Sequence, residues 1–174
     1  MLRTLSLLMC CWFFPKFSQG QNAKVECLNK VIPQMLNQRL LPSDTPFMTK
    51  PADNARTPIR GAIIFESSDK RNALLDKTGA IKVGYSLKTD STIGGIYLMF
   101  PPTDAQAQEL EAIMGEPSIT ATQGIGESFG VIGWIQPGCS IILSMYGPYD
   151  WPVKVPQQLV LRFTSTRDIK DADL

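Results

Sequence analysis

Six short strand-forming runs dominate this chain, and their arrangement limits the folds that it can adopt. The runs are separated by turn-forming residues and span residues 59–65, 81–87, 93–100, 129–135, 140–146 and 159–164. A helical pattern precedes each group of three. In the second run, Ile81, Val83, Tyr85 and Leu87 alternate with polar residues, so they are expected to face the core while Ser86 faces water. Because consecutive strands joined by turns pair antiparallel, the sequence predicts an α+β domain in which two main helices pack on one face of an antiparallel meander. An alternative is a diverged tandem of two helix-plus-meander units.

The first helical pattern covers residues 24–41, where apolar side chains recur every three or four positions. Pro33 lies inside this pattern and is expected to kink the helix or divide it into two pieces. A shorter helical turn is expected within residues 69–78, ended by Gly79.

The second main helix has clear signals at both ends. Thr103 and Gln106 have the spacing of a capping box, and Gly115 followed by Pro117 is a typical helix stop. We therefore expect a helix over residues 103–114.

The N-terminal 20 residues resemble a signal peptide. An apolar run over residues 5–14 follows a basic start, and small residues precede a cleavage position before Gln21. The run is too short to span a bilayer, for which about 20 apolar residues are needed. This pattern predicts a periplasmic or secreted protein; the alternatives are a buried N-terminal helix and a lipoprotein anchored at Cys10 or Cys11.

Residues 21–174 are expected to form a single domain, with a long loop at 42–58 and a polar C-terminal tail at 167–174. Without residues 1–20 the chain has fifteen basic and sixteen acidic residues instead of seventeen and sixteen, a net charge of about −1. No dense basic run remains, so nucleic acid is not an expected partner. No later segment is apolar enough to span a membrane.

Two cysteines, Cys27 and Cys139, remain outside the predicted leader. In an exported protein such a pair is typical of one structural disulfide bond, which we predict here. The alternative is two buried free thiols.

The chain contains no histidine, which excludes every mechanism that needs an imidazole base, acid or metal ligand. The G-x-S-x-G pattern centred on Ser128 therefore has no histidine base. The S-x-x-K pattern at Ser67 and Lys70 and the K-T-G pattern at 77–79 lie too close together for a penicillin-binding enzyme. Both are expected to be polar connections between strands.

Paired carboxylates are the remaining chemistry that needs no histidine. Glu109 and Glu111 lie two positions apart on the second helix and do not face each other, whereas Glu116 and Glu127 flank one loop. A hydrolase that uses carboxylates therefore stays open as an alternative. We expect no cofactor and no metal site, because no calcium-loop or zinc-site spacing is present.

A stiff aromatic segment is the best candidate for a binding site. Tyr146, Tyr149, Asp150 and Trp151 lie among prolines and a glycine, and Trp134 lies on the preceding pair of strands. Aromatic side chains on a rigid loop are typical anchors of protein interfaces. The alternative is that these rings fold back to cover the sheet.

The capped helix that ends at Met114–Pro117, followed by a loop and a tryptophan-bearing meander, resembles the unit of periplasmic β-lactamase-inhibitor proteins and of small outer-membrane assembly lipoproteins. The resemblance covers residues 103–146. It implies a binding role rather than catalysis.

Together these features predict an exported, non-enzymatic protein-binding module, such as a periplasmic immunity protein or an enzyme inhibitor, whose partner is a toxin or an enzyme. The alternatives are a small histidine-free hydrolase and an envelope-assembly or structural subunit.

Overall fold

A computed structural model of the chain describes residues 16–40, 63–123, 129–146 and 158–166. The helical segments are α1 (Lys16–Glu26), a π-helical turn (Cys27–Val31), α2 (Ile32–Met35), α3 (Ala73–Thr78) and α4 (Asp104–Met114). The strands are β1 (Ile63–Ser67), β2 (Lys82–Leu87), β3 (Ile93–Phe100), β4 (Ile119–Gln123), β5 (Phe129–Gln136), β6 (Cys139–Tyr146) and β7 (Gln158–Ser165). The predicted loop at 42–58 and the tail at 167–174 lie outside the described residues.

All seven strands form one antiparallel sheet in the order β1-β2-β3-β7-β6-β5-β4. The chain builds one meander from β1 to β3 and a second from β4 to β7, and the two meanders meet where β3 pairs with β7. This arrangement confirms the predicted α+β class and the antiparallel meander. It does not confirm two tandem units or two main helices, because the meanders differ in strand number and α3 lies between β1 and β2.

One face of the sheet carries the main core. Alternate residues of the two central strands point to this face and are at most 3% exposed: Ile96, Leu98 and Phe100 on β3, and Leu159, Leu161 and Phe163 on β7. They pack with apolar side chains of the helices in a single cluster that includes Leu28, Ile32, Leu75 and Leu110. Burial of such side chains is the main contribution to the stability of the fold.

The N-terminal helix changes its hydrogen-bond pattern just before a proline. Pro33 has no N–H group, and its ring would collide with the carbonyl of Asn29 in a regular α-helix. In the structure the chain widens into the π-helical turn, where the Ile32 N–H donates to the Cys27 carbonyl five residues back. The backbone stays helical through Val31 and Ile32, so Pro33 changes the hydrogen-bond pattern without separating two helices, and it lies in the first turn of α2.

Asn37 fixes the end of this helix to the sheet. Its backbone has a φ of 65°, in the left-handed region, which asparagine tolerates better than most residues. The Asn37 amide Nδ2 donates to Ser165 Oγ at 2.9 Å, and Lys88 Nζ donates to Asn37 Oδ1 at 2.7 Å. The backbone N–H of Asn37 also donates to the Ile93 carbonyl at 2.8 Å.

The predicted helix ends near 103 and 115 are confirmed for α4. Thr103 Oγ1 accepts the N–H of Gln106 at 3.2 Å, and the N–H of Gly115 donates to the Glu111 carbonyl at 2.9 Å. The second half of the capping box is not formed, because Gln106 Nε2 donates to Glu109 Oε2 at 2.9 Å. The shorter helix α3 also ends as predicted, with Gly79 in the left-handed conformation.

Two details of the strand predictions are wrong. Ile81 was expected to point into the core but is 48% exposed and precedes β2, while Ser86, expected to face water, is only 7% exposed. Strand β4 has no counterpart in the predicted set, because its sequence lies between Pro117 and Gly124 and has the turn signals of a loop at both ends.

Candidate functional site

The sequence patterns that resemble catalytic motifs have structural roles where they are described. Ser67 is 4% exposed, and its hydroxyl accepts the N–H of Asp69 at 3.2 Å, while Lys70 is exposed to solvent. The Thr78 hydroxyl of the K-T-G pattern donates to the Leu74 carbonyl at 2.5 Å and closes the last turn of α3. Ser128, in the G-x-S-x-G pattern, lies outside the described residues.

Glu109, one of the two carboxylates predicted on α4, forms an ion pair. Glu109 Oε1 accepts a hydrogen bond from Lys24 Nζ at 2.8 Å, and this ion pair joins α4 to α1. Lys24 also lies 5.6 Å from the centre of the Phe100 ring. These contacts hold α1 and α4 together beside Phe100, the last residue of β3. Glu127 lies outside the described residues, so its distance from Glu116 is not described.

The predicted disulfide bond between Cys27 and Cys139 is wrong in this structure: both residues are free thiols and both are 1% exposed. The reason is their placement along the core. Cys139 pairs with Ser165, whose side chain contacts Asn37. Cys27 lies eight residues before Met35, the end of the helical segment that precedes Asn37, roughly 12 Å at the rise of a helix, whereas a disulfide needs Cα atoms within about 7 Å.

Burial of the two thiols disfavours their ionised form. Burial raises the pKa of Cys139 to about 11, although the N–H of Thr164 lowers it slightly. Burial also raises the pKa of Cys27, against a smaller lowering by the charge of Lys77. Such thiols are poor nucleophiles, because the thiolate is the reactive form.

Trp134, predicted as part of an exposed aromatic patch, lies in the core. Its side chain is 4% exposed, and the indole Nε1–H donates to the Gly115 carbonyl at 2.9 Å. The ring therefore packs β5 against the end of α4 and offers no surface to a partner. Its position follows from strand pairing, because Trp134 lies opposite the buried Ile141 on β6.

The remaining predicted anchors belong to the connection between β6 and β7. Tyr146, the last residue of β6, pairs with Gln158, the first residue of β7, so this backbone pair closes the connection that contains Tyr149, Asp150 and Trp151. Those three residues lie outside the described part of the chain.

The face of the sheet opposite the main core has a different composition, and we term it the open face. None of the described helices packs against it. One row of paired residues crosses this face from β1 to β4: Glu66, Gly84, Tyr97, Arg162, Ile142, Gly133 and Ile119. Part of the face is covered, since Tyr97, Met99 and Val160 form a small cluster of buried side chains.

The β4–β5 side of the open face exposes large apolar side chains. Ile119 is 50% exposed and Ile135 is 61% exposed, although both lie in regular strands. Gly133 lies between them without a side chain, and the neighbouring Val131 and Ile142 are half-buried. The result is an apolar region beside β4, the edge strand of the sheet, to which Gly133 contributes no side chain.

Arg162 borders this apolar region on the central strand β7. Its guanidinium lies 5.8 Å from the centre of the Tyr97 ring, and its Nε–H donates to Thr164 Oγ1 at 3.0 Å. Among the described residues no carboxylate lies within ion-pair distance of Arg162, whereas Lys82 on the same face is paired with Glu66 at 3.0 Å.

Arg162, Ile119 and Ile135 are not among the binding residues predicted from the sequence. A signal was present in β7, where Leu159, Leu161 and Phe163 alternate with Arg162 and mark the opposite face. The alternation alone does not show where Arg162 lies in the sheet. The strand order does, because it places β7 at the centre.

The described residues contain neither a metal-binding cluster nor a helix that could cross a membrane. No three cysteine, aspartate or glutamate side chains in the described ranges come together as a metal site. No helix within those ranges has the length and hydrophobicity needed to cross a membrane.

Comparisons with models of known protein families, with curated proteins and with solved structures found no match. The resemblance of residues 103–146 to inhibitor and assembly proteins therefore rests on the sequence pattern alone.

Proposed function

We propose that this chain is an exported, non-enzymatic protein-binding module, such as a periplasmic immunity protein or an enzyme inhibitor. The observation that supports binding most directly is the pair of exposed isoleucines on the open face, Ile119 at 50% and Ile135 at 61%. Large apolar side chains grouped on one surface are typical of interaction sites, whereas isolated ones are ordinary.

The energetic argument depends on the rigidity of the strands. Covering an exposed isoleucine completely contributes about 1.5–3 kcal/mol, and the two side chains here are about half exposed. Ile135 is held in β5, between β4 and β6, so little backbone entropy is lost when a partner binds. The open face thus offers apolar area that is already arranged for contact.

A second region of contact is the aromatic connection between β6 and β7, with Tyr149, Asp150 and Trp151 as anchors. Ile135 pairs with Ser140 near the start of β6, and the connection leaves from the end of that strand. Six residues of strand, roughly 20 Å, separate Ser140 from Tyr146, the last described residue before the connection. Substitutions at Ile135 and at Trp151 test the two regions separately.

Export rests on the signal-peptide pattern, and the structure gives it a defined test. Helix α1 begins at Lys16, so cleavage before Gln21 would shorten α1 by five residues and keep Lys24, which pairs with Glu109. We expect the mature protein from the native cell envelope or culture medium to begin at Gln21. A cytosolic protein that begins at Met1 would contradict the export part of the proposal.

Binding is tested with the purified chain immobilised as bait against native extract, followed by measurement of affinity for each protein that it captures. Ile135→Asp places a charge in the apolar region and should weaken affinity at least about tenfold. Ile81→Asp is the matched control, because Ile81 is 48% exposed and lies before β2, outside the region. Both variants should keep the melting temperature of the wild type. Equal affinities of the two variants for every captured protein would contradict the proposal.

A further inference from the structure

Arg162 gives the open face a chemical preference that its apolar side chains alone do not have. We propose that Arg162 binds the carboxylate of an aspartate or glutamate side chain of the partner, an inference that rests on the proposed binding function. The partner segment then combines one acidic residue with a neighbouring apolar residue that covers Gly133 and the isoleucines beside it.

The contacts of Arg162 fix its guanidinium in a defined orientation. The Nε–H group is used by Thr164 Oγ1 at 3.0 Å, and one face of the guanidinium lies towards the Tyr97 ring at 5.8 Å. The two terminal nitrogens, Nη1 and Nη2, have no described acceptor. Two parallel N–H groups at this end of a guanidinium match the two oxygens of a carboxylate.

Charge complementarity identifies the occupant. Arg162 is half-buried on the central strand and has no carboxylate within ion-pair distance among the described residues. A partner that covers Ile142 beside it would also remove water from this cation. Losing that water is costly unless an anion replaces it, so a partner without an acidic group at this position would bind poorly.

The surroundings favour a carboxylate over a phosphate group. The residues that flank Arg162 across the sheet are Tyr97 and Ile142, and Val160 lies two positions before it on β7. A phosphate has three strong acceptor oxygens and a charge near −2, which one guanidinium among apolar side chains does not satisfy. A carboxylate is satisfied by one bidentate contact.

The strand spacing sets the separation of the two partner residues. Arg162 and Gly133 lie two strands apart in the same row, on β7 and β5, so about 10 Å separates their backbones. In a polyproline II segment, which has three residues per turn and a rise of about 3.1 Å per residue, residues three positions apart lie on the same side and about 9 Å from each other. The preferred partner segment is therefore an acidic residue and a large apolar residue at positions i and i+3.

Two tetrapeptides test this inference on the whole chain by NMR titration. The probe is acetyl-Glu-Ser-Gly-Leu-amide and its control is acetyl-Gln-Ser-Gly-Leu-amide, which differs by a single charge. The observed signals are the Arg162 Nε–H resonance and the methyl groups of Ile135 and Ile142. We expect the acidic peptide to shift these signals and to bind at least about tenfold more tightly than its amide control.

The variants Arg162→Met and Arg39→Met provide the matched comparison. Arg162→Met should remove the difference in affinity between the two peptides. Arg39→Met should preserve that difference, because Arg39 is an exposed arginine that forms a backbone bridge with Thr92, outside the strands that form the open face. Inorganic phosphate at the same concentration should shift the Arg162 Nε–H resonance less than the acidic peptide does.

Equal binding of the two peptides, no shift with either, or an equal shift with phosphate would each overturn the role of Arg162. Failure of the proposed binding function has a different signature, namely equal affinities of Ile135→Asp and Ile81→Asp for the captured partner. The two results are independent, because the peptide titration does not require the partner.

Discussion

The guanidinium of Arg162 on β7 lies 5.8 Å from the centre of the Tyr97 ring on β3, across the junction of the two meanders. Strands β3 and β7 lie far apart in the sequence, so this contact forms only when the second meander joins the first. A cation above an aromatic ring contributes about 0.5–1 kcal/mol at exposed sites and more when water is excluded. The same contact positions the cation that we propose as the binding group.

Close packing at the junction of the meanders predicts that Gly95, but not the adjacent Gly94, is sensitive to substitution by alanine. A Cβ atom on Gly95 would lie 2.8 Å from Ser86 Oγ and 3.2 Å from the Phe163 carbonyl oxygen, which belongs to the backbone of β7. Gly95→Ala should therefore lower the free energy of unfolding by about 1–3 kcal/mol.

Gly94→Ala is the control for that substitution. Its Cβ would meet Lys88 Cγ at 3.3 Å, a side-chain atom that needs to shift by only a few tenths of an ångström, and the nearest backbone atom is 3.8 Å away. We expect its unfolding free energy to stay within about 1 kcal/mol of the wild type in urea denaturation. A loss in Gly94→Ala as large as in Gly95→Ala would contradict the described packing of β3 against β7.

A second prediction concerns Trp134. Since its ring is 4% exposed, Trp134→Ala should cost about 3–5 kcal/mol of unfolding free energy. Trp134→Phe keeps most of the apolar volume and loses the hydrogen bond to the Gly115 carbonyl, so about 1–2 kcal/mol is expected.

The fluorescence of Trp134 checks its position independently of stability. In a chain that carries Trp12→Phe and Trp151→Phe, emission should be blue-shifted and resistant to acrylamide. Red-shifted emission that acrylamide quenches readily would place this ring at the surface instead.

A third prediction follows from the two thiols. The intact mass of the native, non-reduced protein should equal that of the fully reduced chain, and Cys27 and Cys139 should react with iodoacetamide only after unfolding. A mass lower by two hydrogens would restore the disulfide bond.

The raised pKa of Cys139 also predicts a pH dependence. The pKa rises from its ordinary value of 9.0 to about 11 in the folded state, so the unfolded chain loses the proton first. This contribution to stability is complete below pH 9 and is lost as pH rises from 9 to 11. The loss over this range should be smaller in Cys139→Ala than in the wild type, by urea denaturation at each pH. An equal loss would contradict the burial of this thiol.

A fourth prediction tests the absence of serine-hydrolase chemistry. Ser128 belongs to a G-x-S-x-G pattern in a chain without histidine, so no imidazole base is available to activate its hydroxyl. The native protein should remain unlabelled by a fluorophosphonate probe that labels a serine hydrolase in the same tube. Stoichiometric labelling that Ser128→Ala abolishes would overturn the non-enzymatic proposal.

The periodic parts of the sequence predicted the fold class and most elements. The strand predicted at 93–100 matches β3 at both ends, and Thr103 and Gly115 locate α4, because these signals are local and do not depend on distant partners. Ile81 was expected in the core and Ser86 at the surface, and both expectations are wrong. Alternation shows which residues share a face of the strand, but not how much of that face is covered by other parts of the chain.

The binding region was harder to predict, because it depends on strand order. Ile135 and Trp134 are adjacent in the sequence, and both are large and apolar, yet one is 61% exposed and the other is buried under α4. Nothing local distinguishes which face the helices cover. The predicted Cys27–Cys139 disulfide bond was wrong for a similar reason. The number of cysteines and the expected compartment do not show the distance between two residues of one core.

The most direct test of the account is a thiol footprint of the open face in the complex with a captured partner. Cys27 and Cys139 are buried, and a chain that begins at Gln21 lacks Cys10 and Cys11, so in that chain a new cysteine at Ile135→Cys reports the accessibility of the apolar region, and Ile81→Cys is the control. The account predicts that saturating partner slows maleimide labelling of Ile135→Cys at least about tenfold and leaves Ile81→Cys unchanged. An unchanged labelling rate at Ile135→Cys in the saturated complex would contradict the central claim that this face binds the partner.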